Sequence, residues 1–143
     1  VEEYDVIYNL KLYLKERWKQ LWLNYKPSSE YKTHLAFSDS CFVSARLNSR
    51  EEKIMNRLRL FSCGLNAYLY KIGVKDSNLC ETCKVSETVE HFILYCSKHQ
   101  VLHTDLYNLV KVLEIPFNVS SVLNNNLTIK VIVTYIISNN ISL

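Results

Sequence analysis

Residues 80–96 read Cys-Glu-Thr-Cys-Lys-Val-Ser-Glu-Thr-Val-Glu-His-Phe-Ile-Leu-Tyr-Cys. The spacing is C-x₂-C-x₇-H-x₄-C: two thiols in one turn, then a histidine and a third thiol from one later segment. Zinc in structural sites is held tetrahedrally by four Cys or His ligands, and a C-x₂-C turn lets one backbone bend present two sulfurs. Cys80, Cys83, His91 and Cys96 are therefore expected to bind one zinc ion. Ser86 can cap a helix running from Glu87 that displays His91 and Cys96 toward the thiol turn. All four positions are then filled, leaving no place for a catalytic water. The competing explanation makes Cys80 and Cys83 ordinary small residues and His91 a solvated histidine. A redox C-x-x-C is disfavoured because no βαβ pattern precedes it. The histidine ligand stays open at this point, since His99 or His103 could substitute for His91 if the segment continues as a helix.

Outward from the knuckle, helical periodicity dominates. Ile7, Leu10, Leu14, Trp18, Leu21 and Tyr25 recur at steps of three and four, the spacing of one helical face, and Pro27 with Ser28-Ser29 stops that helix. Residues to about 45 are expected to form a loop. A second helical segment begins near Ser49 as N-cap, with Glu51 and Glu52 in the first turn where the helix dipole favours acids. Its stripe is Leu47, Ile54, Leu58, Phe61 and Leu65, and it could run to Gly73 as one bent helix or two short ones about Gly64. Leu102, Leu106, Leu109 and Leu113 mark a further helix that ends before Pro116. Residues 129–137 fit both periods. Their β-branched composition favours strand, whereas the helical context and the lack of hairpin partners favour helix. Asn124-Asn125-Asn126 reads as a polar turn.

Bulk properties agree with one small, mainly α domain over 1–143. It divides into an N-terminal helix and loop (1–48), a helical segment (49–75), the CCHC zinc knuckle between helices (78–99) and C-terminal helices (100–143). Of the 143 residues 48% are apolar, enough to bury a core, and the two Gly and two Pro are too few for a many-turned β fold. The formal charge of +3 falls to +2 once three thiolates and one Zn²⁺ contribute −1, so charge does not settle the partner. Five cysteines without a secretory leader point to a reducing compartment, nucleus or cytoplasm, rather than a disulfide framework or secretion. Cys41 and Cys63, lacking close partners, are expected to be buried or free thiols. The longest apolar run, residues 131–137, is far short of the roughly 20 needed for a membrane span. Asp39, Asp76 and Asp105 are scattered, which does not suit a two-metal nuclease.

Arg57-Leu58-Arg59, then Cys63-Gly64-Leu65-Asn66-Ala67-Tyr68-Leu69, the cysteine pair, and Glu87-Thr88-Val89-Glu90-His91-Phe92 with Cys96 form a longer pattern. It resembles the zinc-knuckle tail that follows the ribonuclease H domain in many non-LTR retrotransposon reverse transcriptases. There an RLR segment, a GHCGLN-like stretch, a C-x₂-C pair and an ETVEHFLLxC segment come in this order. About forty residues match densely, and Trp18 and Trp22 resemble the family's tryptophan-containing helix. Phe61-Ser62 stands where that family has Gly-His, which removes a histidine. The resemblance implies an accessory segment of a larger polyprotein, an RNA-directed DNA polymerase, with upstream reverse transcriptase and ribonuclease H domains as partners. It implies contact with element RNA or target DNA and does not imply activity for the segment, for which neither catalysis nor a small-molecule substrate is expected.

For such contact the residues offer one stripe. Arg46, Arg50, Lys53 and Arg57 recur at steps of four, three and four along a helix, and could meet phosphates or serve only as a solvated edge. Lys71, Lys75, Lys84 and Lys98 could form a second basic patch around the knuckle. Arg59 faces elsewhere and is expected to be structural or packed over an aromatic. Trp18 and Tyr25, at helical spacing, are expected in the core rather than as stacking platforms. A protein-interaction or structural module derived from a degenerate element is the alternative function.

Overall fold

The computed structural model describes residues 2–25 and 47–143. The described chain is mainly helical: α1 (Glu2–Asn24), α2 (Ser49–Arg59), α3 (Asn66–Lys71), a π-helical turn (His91–Tyr95), a 3₁₀ turn (Ser97–His99), α4 (Gln100–Val112), α5 (Val119–Asn124) and α6 (Asn126–Ser138). Among the described residues no strand forms; a single antiparallel bridge joins Leu79 to Ser86. No described helix is long and apolar enough to cross a membrane.

Helix α2 starts one residue earlier than expected. Asn48, not Ser49, is the N-cap: its Oδ1 accepts from the N–H of Arg50 and of Glu51 at 3.0 Å, and Glu51 Oε2 accepts from Asn48 N–H at 2.8 Å. This capping box satisfies otherwise orphaned amides at both ends of the exchange. It also fixes Glu51 to receive Lys130 of α6 at 3.2 Å. The helical segment then splits in two rather than bending once. Leu60 ends α2, Phe61 takes φ 54°, and its N–H bonds Leu58 O while Ser62 N–H reaches back to Arg57 O, both at 3.1 Å. That is the 6→1 and 5→2 pattern of a Schellman end, with a phenylalanine where glycine is usual. Phe61 packs partly buried against the core, which offsets the cost of its backbone. Gly73, at φ 74°, ends α3 in the same way, with Val74 N–H on Leu69 O at 2.8 Å.

Helices α4, α5 and α6 build the core with the π-helical turn. Leu102, Leu106 and Val110 of α4, Val119, Val122 and Leu123 of α5, and Ile132 and Ile136 of α6 bury against Phe92, Ile93 and Leu94. Met55 of α2 closes a second cluster with Ile129 and Val133. Residues 126–138 are helical: the buried set Ile129, Ile132, Val133 and Ile136 follows steps of three and four. Asn125 caps α6, accepting from Leu127 N–H at 2.9 Å, so the triple asparagine is the turn expected. Arg59 is buried, its Nε donating to Leu123 O at 2.9 Å, a structural tie between α2 and α5.

The α1 helix forms, but its periodic face is not core. Ile7, Leu10, Leu14, Trp18, Leu21 and Tyr25 are all exposed. Periodicity reports that a face is apolar without naming what covers it, and the core described above is closed by the other helices. Pro27, Ser28, Ser29, Asp39, Cys41 and Arg46, with the expected loop, lie outside the described residues.

Leu106 is fully buried where α4 meets the core. Leu106→Ala is expected to lower unfolding free energy by about 3 kcal/mol, the transfer term plus the cavity left behind; a urea midpoint shift at unchanged slope measures it.

Candidate metal centre

The thiol turn is a short ribbon folded back on itself. Cys80 N–H donates to Val85 O at 2.7 Å, Lys84 N–H donates to Cys80 O at 2.9 Å, and Glu87 N–H closes the base on Asn78 O at 2.8 Å. Lys84 sits at φ 57°, the left-handed position that lets the chain reverse after Cys83. The ribbon hangs on α3. Asn66 Nδ2 donates to Leu79 O at 2.7 Å, Lys75 Nζ donates to Asn66 Oδ1 at 2.6 Å, and Glu87 Oε2 accepts from Asn66 N–H at 2.9 Å.

The other two donors come from the next turn, which differs from the expected helix. Thr88 rather than Ser86 is the cap, its Oγ1 accepting from His91 N–H at 3.1 Å, because Ser86 is held in the bridge to Leu79. From His91 to Tyr95 the turn is π-helical, and Cys96 N–H bonds His91 O at 2.8 Å. At 3.6 residues per turn an α-helix would set residues five apart about 140° around its axis. The wider π turn, a form concentrated at functional sites, brings His91 and Cys96 toward the same side.

Cys80, Cys83, His91 and Cys96 converge, their donor atoms all within 4.8 Å of one another, and could hold a metal ion. Cys96 Sγ lies 3.8 Å from Cys80 Sγ and 3.9 Å from Cys83 Sγ. Cys80, His91 and Cys96 are buried and Cys83 is partly exposed. Nε2 of His91 is buried without a hydrogen-bond partner. Native structures rarely leave such an atom unpaired, and a metal ligand has reason to be. Among the described residues no other group of three or more Cys, His, Asp or Glu converges this way, and neither Asp76 nor Asp105 joins one.

The rival histidines are committed elsewhere. His99 Nδ1 lies 3.1 Å from Tyr135 Oη, its ring set edge-to-face against Phe92 and Tyr135, and His103 Nε2 is 3.2 Å from Phe92 O. Burial, with Lys98 nearby, pushes His99 below its usual pKa. One contributor was not foreseen. Ser97 donates its N–H to Cys83 Sγ at 3.4 Å, its Oγ lies 3.3 Å from the same sulfur, and these contacts hold that thiol below its ordinary pKa. Its adjacency to Cys96 is the only trace of this in the sequence.

Of the basic stripe, Arg50, Lys53 and Arg57 are all exposed on α2, with Arg57 Nη1 donating to Leu143 O at 2.5 Å, and Arg46 lies outside the described residues. Around the knuckle, Lys75 and Lys98 line one cleft of about 490 Å³, with Cys80, His99 and Tyr135 also in its wall. Cys63 is a free, buried thiol, as expected.

No protein-family model, curated protein or solved structure matches this chain.

Without a metal, burial pushes the Cys96 thiol up to about 11, and burial raises Cys63 as well. A thiol whose folded-state pKa is raised contributes stability that is present below the unfolded value and lost as pH climbs through the folded one. Metal-free protein should therefore lose stability from about pH 9 toward 11. Metal binding keeps the coordinating thiols deprotonated and should flatten the Cys96 part of that loss. Thermal melts across this range, with and without metal, provide the check.

Proposed function

We propose that Cys80, Cys83, His91 and Cys96 hold one zinc ion, and that this knuckle stabilises an accessory module of a retroelement reverse transcriptase. The module holds nucleic acid or positions neighbouring domains. The observation that carries the zinc assignment is the sulfur spacing. Two thiolates on a tetrahedral zinc with Zn–S bonds of about 2.3 Å stand about 3.8 Å apart. The Cys80–Cys96 and Cys83–Cys96 separations are 3.8 and 3.9 Å, beside a buried ring nitrogen that has no partner. Three thiolates and an imidazole suit zinc over the hard cations, which take oxygen ligands. Four protein ligands leave no open position, so the role is structural rather than catalytic.

The nucleic-acid part rests on the resemblance of residues 57–99 and on exposed cations. Arg50 and Lys53 stand free on α2, and Lys98 and Lys75 flank the cleft beside Cys80. One observation favours a second reading: the exposed apolar face of α1 suits a protein-interaction module. Salt separates the two. Phosphate contacts make affinity fall steeply with ionic strength, whereas docking of an apolar face does not.

Elemental analysis of protein purified without added metal should give one zinc per chain, with chelation lowering the melting temperature. Cys80→Ala and Cys83→Ala should each lose zinc and destabilise residues 78–98, since structural zinc contributes folding free energy directly; unchanged zinc content and melting in both variants would sink the assignment. Binding of single-stranded RNA or DNA should weaken with salt. Arg50→Ala and Lys53→Ala should each lower the slope of log K against log salt by about one if they contact phosphate. Indifference to nucleic acid with tight protein binding would favour the second reading.

A further inference from the structure

We propose that Cys83 is an oxidative modification site: a peroxide reaches this thiolate ahead of the other ligands, and the Cys83–Cys96 disulfide that follows opens the metal centre. The inference rests on the zinc assignment above and concerns which ligand is its weak point.

The four ligands are not equally protected. Cys80 and Cys96 are 2% exposed and His91 7%, whereas Cys83 is partly exposed in a turn whose neighbours Thr82 and Lys84 are both exposed. Oxidant attack follows thiolate character and access, and zinc ligation keeps all three sulfurs as thiolates, so access discriminates among them. A resolving thiol stands ready. Cys96 Sγ is 3.9 Å from Cys83 Sγ, and a disulfide needs about 2.05 Å. The exposed turn that carries Cys83 can supply this displacement, whereas Cys96 is anchored by its N–H to His91 O. Cys80 is as close to Cys96, at 3.8 Å, but its sulfur is shielded from solvent. Cys63 belongs to the apolar core with Leu58 and Leu65 and has no thiol partner within the site.

The chemistry balances with hydrogen peroxide as oxidant. The Cys83 thiolate attacks one peroxide oxygen, the O–O bond breaks, and hydroxide leaves a sulfenic acid on Cys83. The Cys96 thiolate then attacks the Cys83 sulfur, the S–S bond forms, and the S–O bond breaks with loss of a second hydroxide. Two thiolates have given two electrons, one peroxide has become two waters after taking two protons from solvent, and thiol reductants reverse the change. Only Cys80 and His91 then remain as ligands, which is too few to retain the ion.

The test uses the full zinc-loaded chain with hydrogen peroxide at stoichiometric ratio. Released zinc is read by a chromophoric chelator and disulfides by peptide mapping. The expected result is one Cys83–Cys96 disulfide for each zinc released, with Cys63 still a thiol. The variant Cys83→His keeps four ligands while removing the accessible thiol, and should load zinc and release it at least tenfold more slowly. A Cys80–Cys96 or Cys80–Cys83 disulfide forming first, or wild-type release from Cys83→His, overturns the proposal. Should that variant fail to load zinc, the order of disulfides in the wild-type chain decides. A wild-type chain with no zinc defeats the zinc assignment separately, because the same mapping on metal-free protein still shows whether Cys83–Cys96 forms ahead of Cys80–Cys96.

Discussion

The hydrogen bond from Cys96 N–H to His91 O, 2.8 Å across a five-residue turn, is the interaction on which both halves of the molecule depend. On one side of that turn His91 and Cys96 meet the thiol ribbon. On the other, Phe92, Ile93 and Leu94 are buried among Leu102, Leu106, Val122 and Ile136. The same few residues thus serve as core and as frame for the candidate metal site. An α-helical turn would satisfy the backbone equally well but would set His91 and Cys96 apart, so the π geometry is the cost of doing both. This coupling gives the site its stiffness, because displacing either ligand means displacing three core side chains.

The ribbon opposite has no such support. Between residues 67 and 88, Cys80 alone is buried. The ribbon is tied to α3 by hydrogen bonds among Asn66, Lys75, Leu79 and Glu87 and by Ala67 N–H on Glu87 O at 3.3 Å. Each such bond contributes roughly 1 kcal/mol net, while ordering each residue's backbone costs about 1–2 kcal/mol. Without a further tie the ribbon would open before the α4–α6 core. The metal ligation proposed for Cys80 and Cys83 would supply that tie at two points.

The helices and the four converging residues were legible because each depends on a spacing that survives translation into three dimensions. Leu102 and Leu106 lie four apart and face one core, and the C-x₂-C turn needs only a reversal. What escaped were features set by geometry rather than by residue type. Three helix ends use a left-handed residue that is not glycine: Phe61, Glu114 and Asn140, at φ 54°, 52° and 50°. With only two glycines in the chain, these stops carry no mark in the composition. The choice of Thr88 over Ser86 as cap turned on the bridge from Leu79, a contact seven residues away. Arg57 was legible as a cation on a stripe, but its bond to Leu143 O reaches across the whole domain.

Helices α1 and α6 show where pattern stops being sufficient. The β-branched residues of α6 favour strand by propensity, yet a strand there would need neighbours for its backbone amides, and no strand exists among the described residues to offer them. A helix satisfies its own backbone, and the three-and-four spacing of Ile129, Ile132, Val133 and Ile136 then buries one face against α2, α4 and α5. Pairing partners decided the structure, and the side-chain preference gave way. In α1 the same spacing produces an equally regular face, but Ile7, Leu14 and Leu21 stay exposed because the core is already closed by other helices. An apolar period is thus a statement of what a segment can bury. Whether it does so depends on which surfaces the rest of the chain leaves open.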